Sequence, residues 1–255
     1  MTYANRTITV NMDKELKLNI LDWQEHQLQG IEAVKQVSDV FSVLARASSE
    51  IGFEYFAYGL QMPLPLTDPK RCFINNYSED WQQRYSEKNY VEVDPTVRHG
   101  LNSVMPLLWT ERVFETCLDF RDDAQAHGIR FGWTQACCGS NGVRGLLTLA
   151  RSEVPLSRTE LHHSMSKMLW LVHAAHESLS SLLIEKFFPK SKEELTEREI
   201  DVLRWSADGK TAFEVGVILS ISERTANFHI NNAVRKLGAS NKTAGVIKAA
   251  LLNLL

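Results

Sequence analysis

From Leu195 to the C-terminus, helix-start and helix-stop residues fall at intervals that fit short helices and leave no room for a strand. Thr196, with Glu199 three residues on, is a capping box: the hydroxyl takes a free N–H of the first turn and the carboxylate reaches back to the cap. Gly209 supplies a left-handed stop. Thr211 opens a second helix to Leu219, Ile221-Ser222 makes a tight turn, and Ser222 caps a third helix through Leu237. Gly238 ends that helix and Asn241 starts a fourth. Two helices joined by so short a turn, the second bearing basic and amide side chains, form a helix-turn-helix.

Charge follows the same division. Residues 1–189 hold 18 Lys/Arg against 23 Asp/Glu, whereas residues 190–255 hold 10 against 8. Within 221–255 the cations Arg224, Arg235, Lys236, Lys242 and Lys248 face one acid, Glu223. That asymmetry suits a polyanionic partner.

A chain of 255 residues has room for a second, larger domain. Pro189 and the charged run after it mark an exposed break, giving domains at 1–187 and 195–255 and a linker at 188–194. In the first domain, apolar spacing predicts a helix over 31–49, stopped by Gly52. Strands are expected at 53–62 and 71–75, separated by the turn-forming run PLPLTDP. Ser78 caps a helix to Lys88, with Glu79 and Asp80 in its first turn. A helix over 114–127 ends at Gly128. Strands at 132–138 and 143–151, joined by GSNG, precede a long helix from about Ser157 to Phe187. The fold class is α+β: an N-terminal α/β/α sandwich on a mostly antiparallel sheet, then an all-α four-helix module.

Several function classes drop out. A hydrophobic content of 44% and charged content of 23% fit a folded protein. No apolar run approaches the roughly 20 residues that cross a bilayer, and the N-terminal stretch lacks the layout of a secretory signal. Four cysteines without a CxxC pair fit a reduced, cytoplasmic setting. His173 and His176 lack a cysteine or acidic partner at metal-ligand spacing, so the long helix's histidines are assigned to its surface or an interface. Cys137 and Cys138 alternate faces of a strand. No nucleophile–base order, phosphate-cradling loop or carboxylate pair stands out, so no enzyme is expected.

The segments LTEREIDVL (195–203), ADGKT (207–211) and ILSISERT (218–225), with His229 and Lys236-Leu237, resemble the LuxR-type helix-turn-helix. The resemblance implies a third helix lying in the DNA major groove. Asn227 and Asn231, four apart, share a face and suit adenine edges. Lys210, Arg224, Thr225 and Lys236 are assigned to DNA contact, largely to phosphates. Ala226, where the family has valine, and Asn227, where lysine is frequent, depart from its pattern.

Tyr77, Trp81 and Tyr85 recur at i, i+4 and i+8, which would put them on one helical face. Alone, such a stripe is ordinary core, and Asp94-Pro95 alone is a turn. Together with Trp109, Ala126-His127-Gly128 and GLLTL (145–149), they resemble the autoinducer-binding domain of LuxR-type quorum-sensing regulators. The resemblance implies an N-acyl homoserine lactone as ligand, with no cofactor. Trp81 would donate to the lactone carbonyl, Asp94 would accept the amide N–H, and Tyr77 and Thr148 would bond the acyl carbonyl. Tyr85 and Trp109 would form walls. The small Ala57 and Gly59 either leave room for an acyl chain or pack against the helix. The partners expected are promoter DNA, the autoinducer and a second copy of the chain, with no membrane. The alternative keeps the DNA module but senses another amphipathic molecule, or none.

Overall fold

The computed structural model describes residues 20–65, 67, 69–139, 142–187 and 193–255. They form two compact units that divide within the last turns of the helix ending at Phe187. Pro189 and most of the expected linker, parts of the PLPLTDP run, and Ser140 and Asn141 of the GSNG loop lie outside the described residues.

The first unit is built on five antiparallel strands in the order β2-β1-β5-β4-β3. They are β1 (Tyr55–Gln61), β2 (Arg71–Asn75), β3 (Leu107–Leu108), β4 (Phe131–Cys138) and β5 (Arg144–Arg151). Side chains alternate across the sheet. Phe56 and Tyr58 of β1 meet α2 (Val37–Glu50) and α6 (Arg158–Phe187) through Phe41 and His176. A helix over residues 20–32, α1, joins that layer: its Trp23 packs edge-on against Trp170, 5.6 Å between centroids. Ala57, Thr148 and Thr134 point the other way. There lie α3 (Glu79–Glu87), α4 (Pro95–Asn102), α5 (Leu118–Ala126) and 3-10 turns at Tyr90–Glu92 and Glu111–Phe114. This is the α/β/α sandwich of the α+β class.

Three local expectations change. The helix foreseen over 31–49 is two helices, because the Asp39 carboxylate takes the N–H groups of Lys35 and Gln36 at 2.9 and 3.1 Å and starts α2 there. The helix foreseen over 114–127 begins only at Leu118, after a 3-10 turn. Asp94-Pro95 is a helix start, with Asp94 capping α4 and Pro95 in its first turn.

The second unit contains α7 (Glu197–Ala207), α8 (Ala212–Leu219), α9 (Glu223–Lys236) and α10 (Lys242–Leu251). Thr196, Thr211, Ser222 and Asn241 cap them in turn. Val202, Val215, Ala226 and Ile230 form one buried cluster, and Leu203, Ala233, Leu237 and Ala249 another. Ser220 closes α8 in the left-handed region at φ +57°, a conformation that costs a side-chain-bearing residue about 1 kcal/mol. Gly216 lies against the turn so tightly that a Cβ there would stand 2.8 Å from the Ile221 carbonyl oxygen.

Candidate ligand cavity and DNA face

Between the sheet and α3–α5 lies a cavity of about 830 Å3. Ala57, Tyr77, Trp81, Tyr85, Asp94, Trp109 and Thr148 all line it. Trp81 is almost fully buried and belongs to the apolar cluster with Tyr90, Phe114 and Phe120. Its ring stacks with Tyr90 at 5.9 Å. Tyr77 does not share the helical face of Trp81 and Tyr85, as its spacing suggested. It precedes α3, outside the Ser78 cap, and its ring packs on Tyr55 at 6.0 Å.

Asp94 is buried at the head of α4. Its Oδ1 accepts the backbone N–H and the hydroxyl of Thr96, at 2.8 and 2.7 Å. Its Oδ2 accepts the Tyr85 hydroxyl at 3.1 Å, so Tyr85 is an anchor for the carboxylate as well as a wall. Burial raises the Asp94 pKa, against the opposing pull of the Thr96 and Tyr85 hydrogen bonds. Burial first, and the neighbouring Asp94 charge second, hold the Tyr77 and Tyr85 phenols protonated.

Two donors in the cavity wall stand unpaired. Among the described residues no acceptor meets the Trp81 indole N–H or the Tyr77 hydroxyl. Trp109 is tied to the sheet: its indole N–H donates to Thr134 Oγ1 at 2.9 Å, and Thr134 Oγ1 lies 3.1 Å from Thr148 Oγ1. Gly132 permits this, since a Cβ there would lie 2.7 Å from the Trp109 ring. Sequence reasoning missed Thr96 and Thr134. The Asp-Pro-Thr helix start was a readable signal for Thr96, whereas nothing local marks Thr134.

On the second unit, Arg224, Asn227, Phe228, Asn231 and Arg235 form one exposed stripe along α9. Phe228, 60% exposed amid polar neighbours, went unremarked in the sequence although an exposed aromatic is the informative exception. Thr225 Oγ1 is engaged by Ser222 Oγ at 2.7 Å, and Lys210 is half-buried. Lys236, expected on the DNA face, is engaged within the domain: its Nζ donates to Glu199 Oε2 at 2.8 Å and to the Glu194 carbonyl at 2.9 Å. Arg235 likewise forms a bidentate pair with Glu193. Two of the five cations counted from 221 onward are thus neutralised by acids upstream of that window. Ala226 is fully buried, so its departure from the family pattern alters core volume and not a DNA contact.

His176 is buried, with Nδ1 2.8 Å from the Tyr58 hydroxyl, and is not a surface residue. Cys137 is buried, its Sγ 3.2 Å from His173 Nδ1, and burial raises its pKa, which is the opposite of an activated thiolate. Cys138 is exposed. No helix among the described residues is long and apolar enough to cross a membrane.

An aromatic-walled cavity with a buried carboxylate in an α/β/α unit, joined in one chain to a helix-turn-helix unit, defines a small-molecule-responsive transcriptional regulator. Residues 36–179 match the family of autoinducer binding domains, and residues 193–249 match the bacterial regulatory proteins of the luxR family. The chain belongs to the LuxR family of quorum-sensing transcriptional regulators, which are not enzymes. It is 40% identical over 235 residues to the transcriptional activator protein AnoR of Acinetobacter nosocomialis, covering 91% of this chain and 99% of AnoR. Its fold is similar to that of SdiA in complex with octanoyl-rac-glycerol, with a TM-score of 0.76 at 31% identity, covering 91% of this chain and 94% of that one. It is also similar to CepR2 of Burkholderia cenocepacia, an N-acylhomoserine lactone dependent LuxR family transcription factor. There the TM-score is 0.59 at 29% identity, over 64% of this chain and 96% of that one.

Proposed function

We propose that the cavity binds an N-acyl homoserine lactone and that the occupied protein, as a cytoplasmic homodimer, binds promoter DNA through α9. The observation that carries this reading is the match of polarity. Trp81 and Tyr77 offer donors that meet no acceptor among the described residues, and Asp94 offers one buried carboxylate acceptor. An acyl homoserine lactone has two carbonyl acceptors and one amide donor. Trp81 donates to the lactone carbonyl, Tyr77 and Thr148 bond the acyl carbonyl, and Asp94 Oδ2 accepts the amide N–H. Each buried polar atom left unpaired costs about 1–3 kcal/mol, so this set rejects pure hydrocarbons. Ala57 and the aromatic walls take the acyl chain, at about 0.8 kcal/mol per buried CH₂.

On DNA, Asn227 and Asn231 read base edges, with Phe228 between them suited to a thymine methyl. Arg224, Lys210 and Thr225 contact phosphates. Two-fold symmetry gives paired recognition helices and a near-palindromic site. Ligand favours the DNA-competent population because it binds that state better. A second reading, an amphipathic ligand without a lactone, is favoured by the octanoyl-glycerol in the similar SdiA structure.

The test is organic extraction and mass spectrometry of protein expressed with a panel of acyl homoserine lactones. Stoichiometric retention of one length class supports the first reading. Retention of none, with a bound acylglycerol in its place, overturns it in favour of the second.

A further inference from the structure

Thr134 stands opposite Thr148 in the β4–β5 register and is completely buried. It is not part of the cavity wall, whereas Thr148 is. We propose that Thr134 is a positioning residue that fixes the hydrogen-bond polarity of Thr148, so that the Thr148 proton faces the cavity and selects a carbonyl oxygen on the ligand. This rests on the lactone reading of the cavity and deepens it.

The argument follows the protons. An indole N–H donates and never accepts. Trp109 Nε1, 2.9 Å from Thr134 Oγ1, therefore makes that oxygen an acceptor. The Thr134 proton needs its own acceptor, because a buried hydroxyl proton without one is costly. Among the described residues the oxygen within reach is Thr148 Oγ1, at 3.1 Å. Were Thr148 to donate instead, the Thr134 proton would be stranded. The order is thus Trp109 to Thr134 to Thr148. Thr148, having accepted one hydrogen bond on the sheet side, carries its proton on the side that lines the cavity. Gly132, which lets the Trp109 ring lie against β4, aims the first donor in this chain, and the Trp109 backbone N–H holds the Gly132 carbonyl at 2.9 Å. The Thr148 donor then requires an acceptor from the ligand, and an acyl carbonyl is one. A methylene at the same place leaves the proton unpaired.

The experiment compares binding of N-octanoyl homoserine lactone and its thioamide analogue, whose C=S keeps the N–H but accepts weakly, by titration calorimetry on the full chain. Wild type and Thr134→Ser are expected to prefer the carbonyl compound by about 100-fold, the scale of the two hydrogen bonds from Tyr77 and Thr148. Thr134→Val keeps the shape but removes the hydroxyl that orients Thr148, and its preference is expected to fall by about tenfold, with Tyr77 still bonding the carbonyl. Trp109→Phe, which frees the chain to reverse, is expected to lower the preference likewise and serves if the valine variant fails to fold. A wild-type preference retained in both Thr134→Val and Trp109→Phe overturns the proposal while leaving the lactone site intact. Equal weakening of both compounds, with the preference unchanged, shows a packing role only and also overturns it. A wild-type protein that takes neither compound overturns the lactone reading itself.

Discussion

Lys236 Nζ lies 2.8 Å from Glu199 Oε2, and with side chains only 12% and 4% exposed the pair fastens α9 to the head of α7. A cation so placed is expected to stabilise the domain more than to contact phosphate. Lys236→Met is expected to lower the stability of the C-terminal unit by about 3 kcal/mol, because it leaves a buried carboxylate unpaired. The slope of DNA affinity against salt should stay unchanged. Arg224→Ala should do the reverse, lowering that slope by about one and sparing stability. Urea unfolding and salt titrations measure both.

The same pair sets an acid limit. Burial pushes the Glu199 carboxyl up, but the Lys236 and Thr196 hydrogen bonds outweigh it, and its pKa in the folded state is lowered. A lowered carboxylate pKa contributes stability that is present above the unfolded value and lost as pH falls through the folded one. The unfolding midpoint of the C-terminal unit should therefore drop below about pH 4.5, the ordinary glutamate range. In Lys236→Met that drop should be shallower.

Asp94 behaves in the opposite sense. Its pKa is raised by burial, so ionisation costs stability in the empty cavity, and a ligand N–H relieves part of that cost. Asp94→Asn is expected to weaken ligand binding by about 10- to 100-fold, the worth of a charged hydrogen bond, while the empty protein loses no thermal stability. Ligand affinity of wild type should fall as pH drops, beginning above the usual aspartate range. Equal affinity for wild type and variant would remove Asp94 from the site.

Ser220 offers a gain. Its left-handed backbone is free of strain for glycine. Ser220→Gly should raise C-terminal stability by about 0.5–1 kcal/mol, a melting shift of about 3–6 °C for a unit this small.

Asn227→Ala combined with Asn231→Ala should reduce affinity for a selected operator far more than for random DNA. Competition binding against both duplexes checks this, and equal losses would place the two asparagines on the backbone.

Much of the frame was legible because single residues carry it. Gly52, Gly128, Gly209 and Gly238 were expected as helix stops, and all four have positive φ. Ser78, Thr196, Thr211, Ser222 and Asn241 cap the helices they were expected to cap. The break before α2 was not legible, since apolar periodicity records side-chain faces and not where the amides of Lys35 and Gln36 go. Tyr77 kept its spacing while leaving the helix. Counting charge along a window could not see Glu193 and Glu199, which meet Arg235 and Lys236 from 42 and 37 residues away. Thr134 had no sequence mark because its role depends on a strand register and on an indole 25 residues away.

Gly216 carries a consequence for genetics. It is buried on α8, yet one added methyl would collide with the Ile221 carbonyl and push the turn open. The pitch at which α9 is presented is therefore calibrated by a missing carbon atom. A collection of variants that have lost promoter control should include substitutions at this buried position.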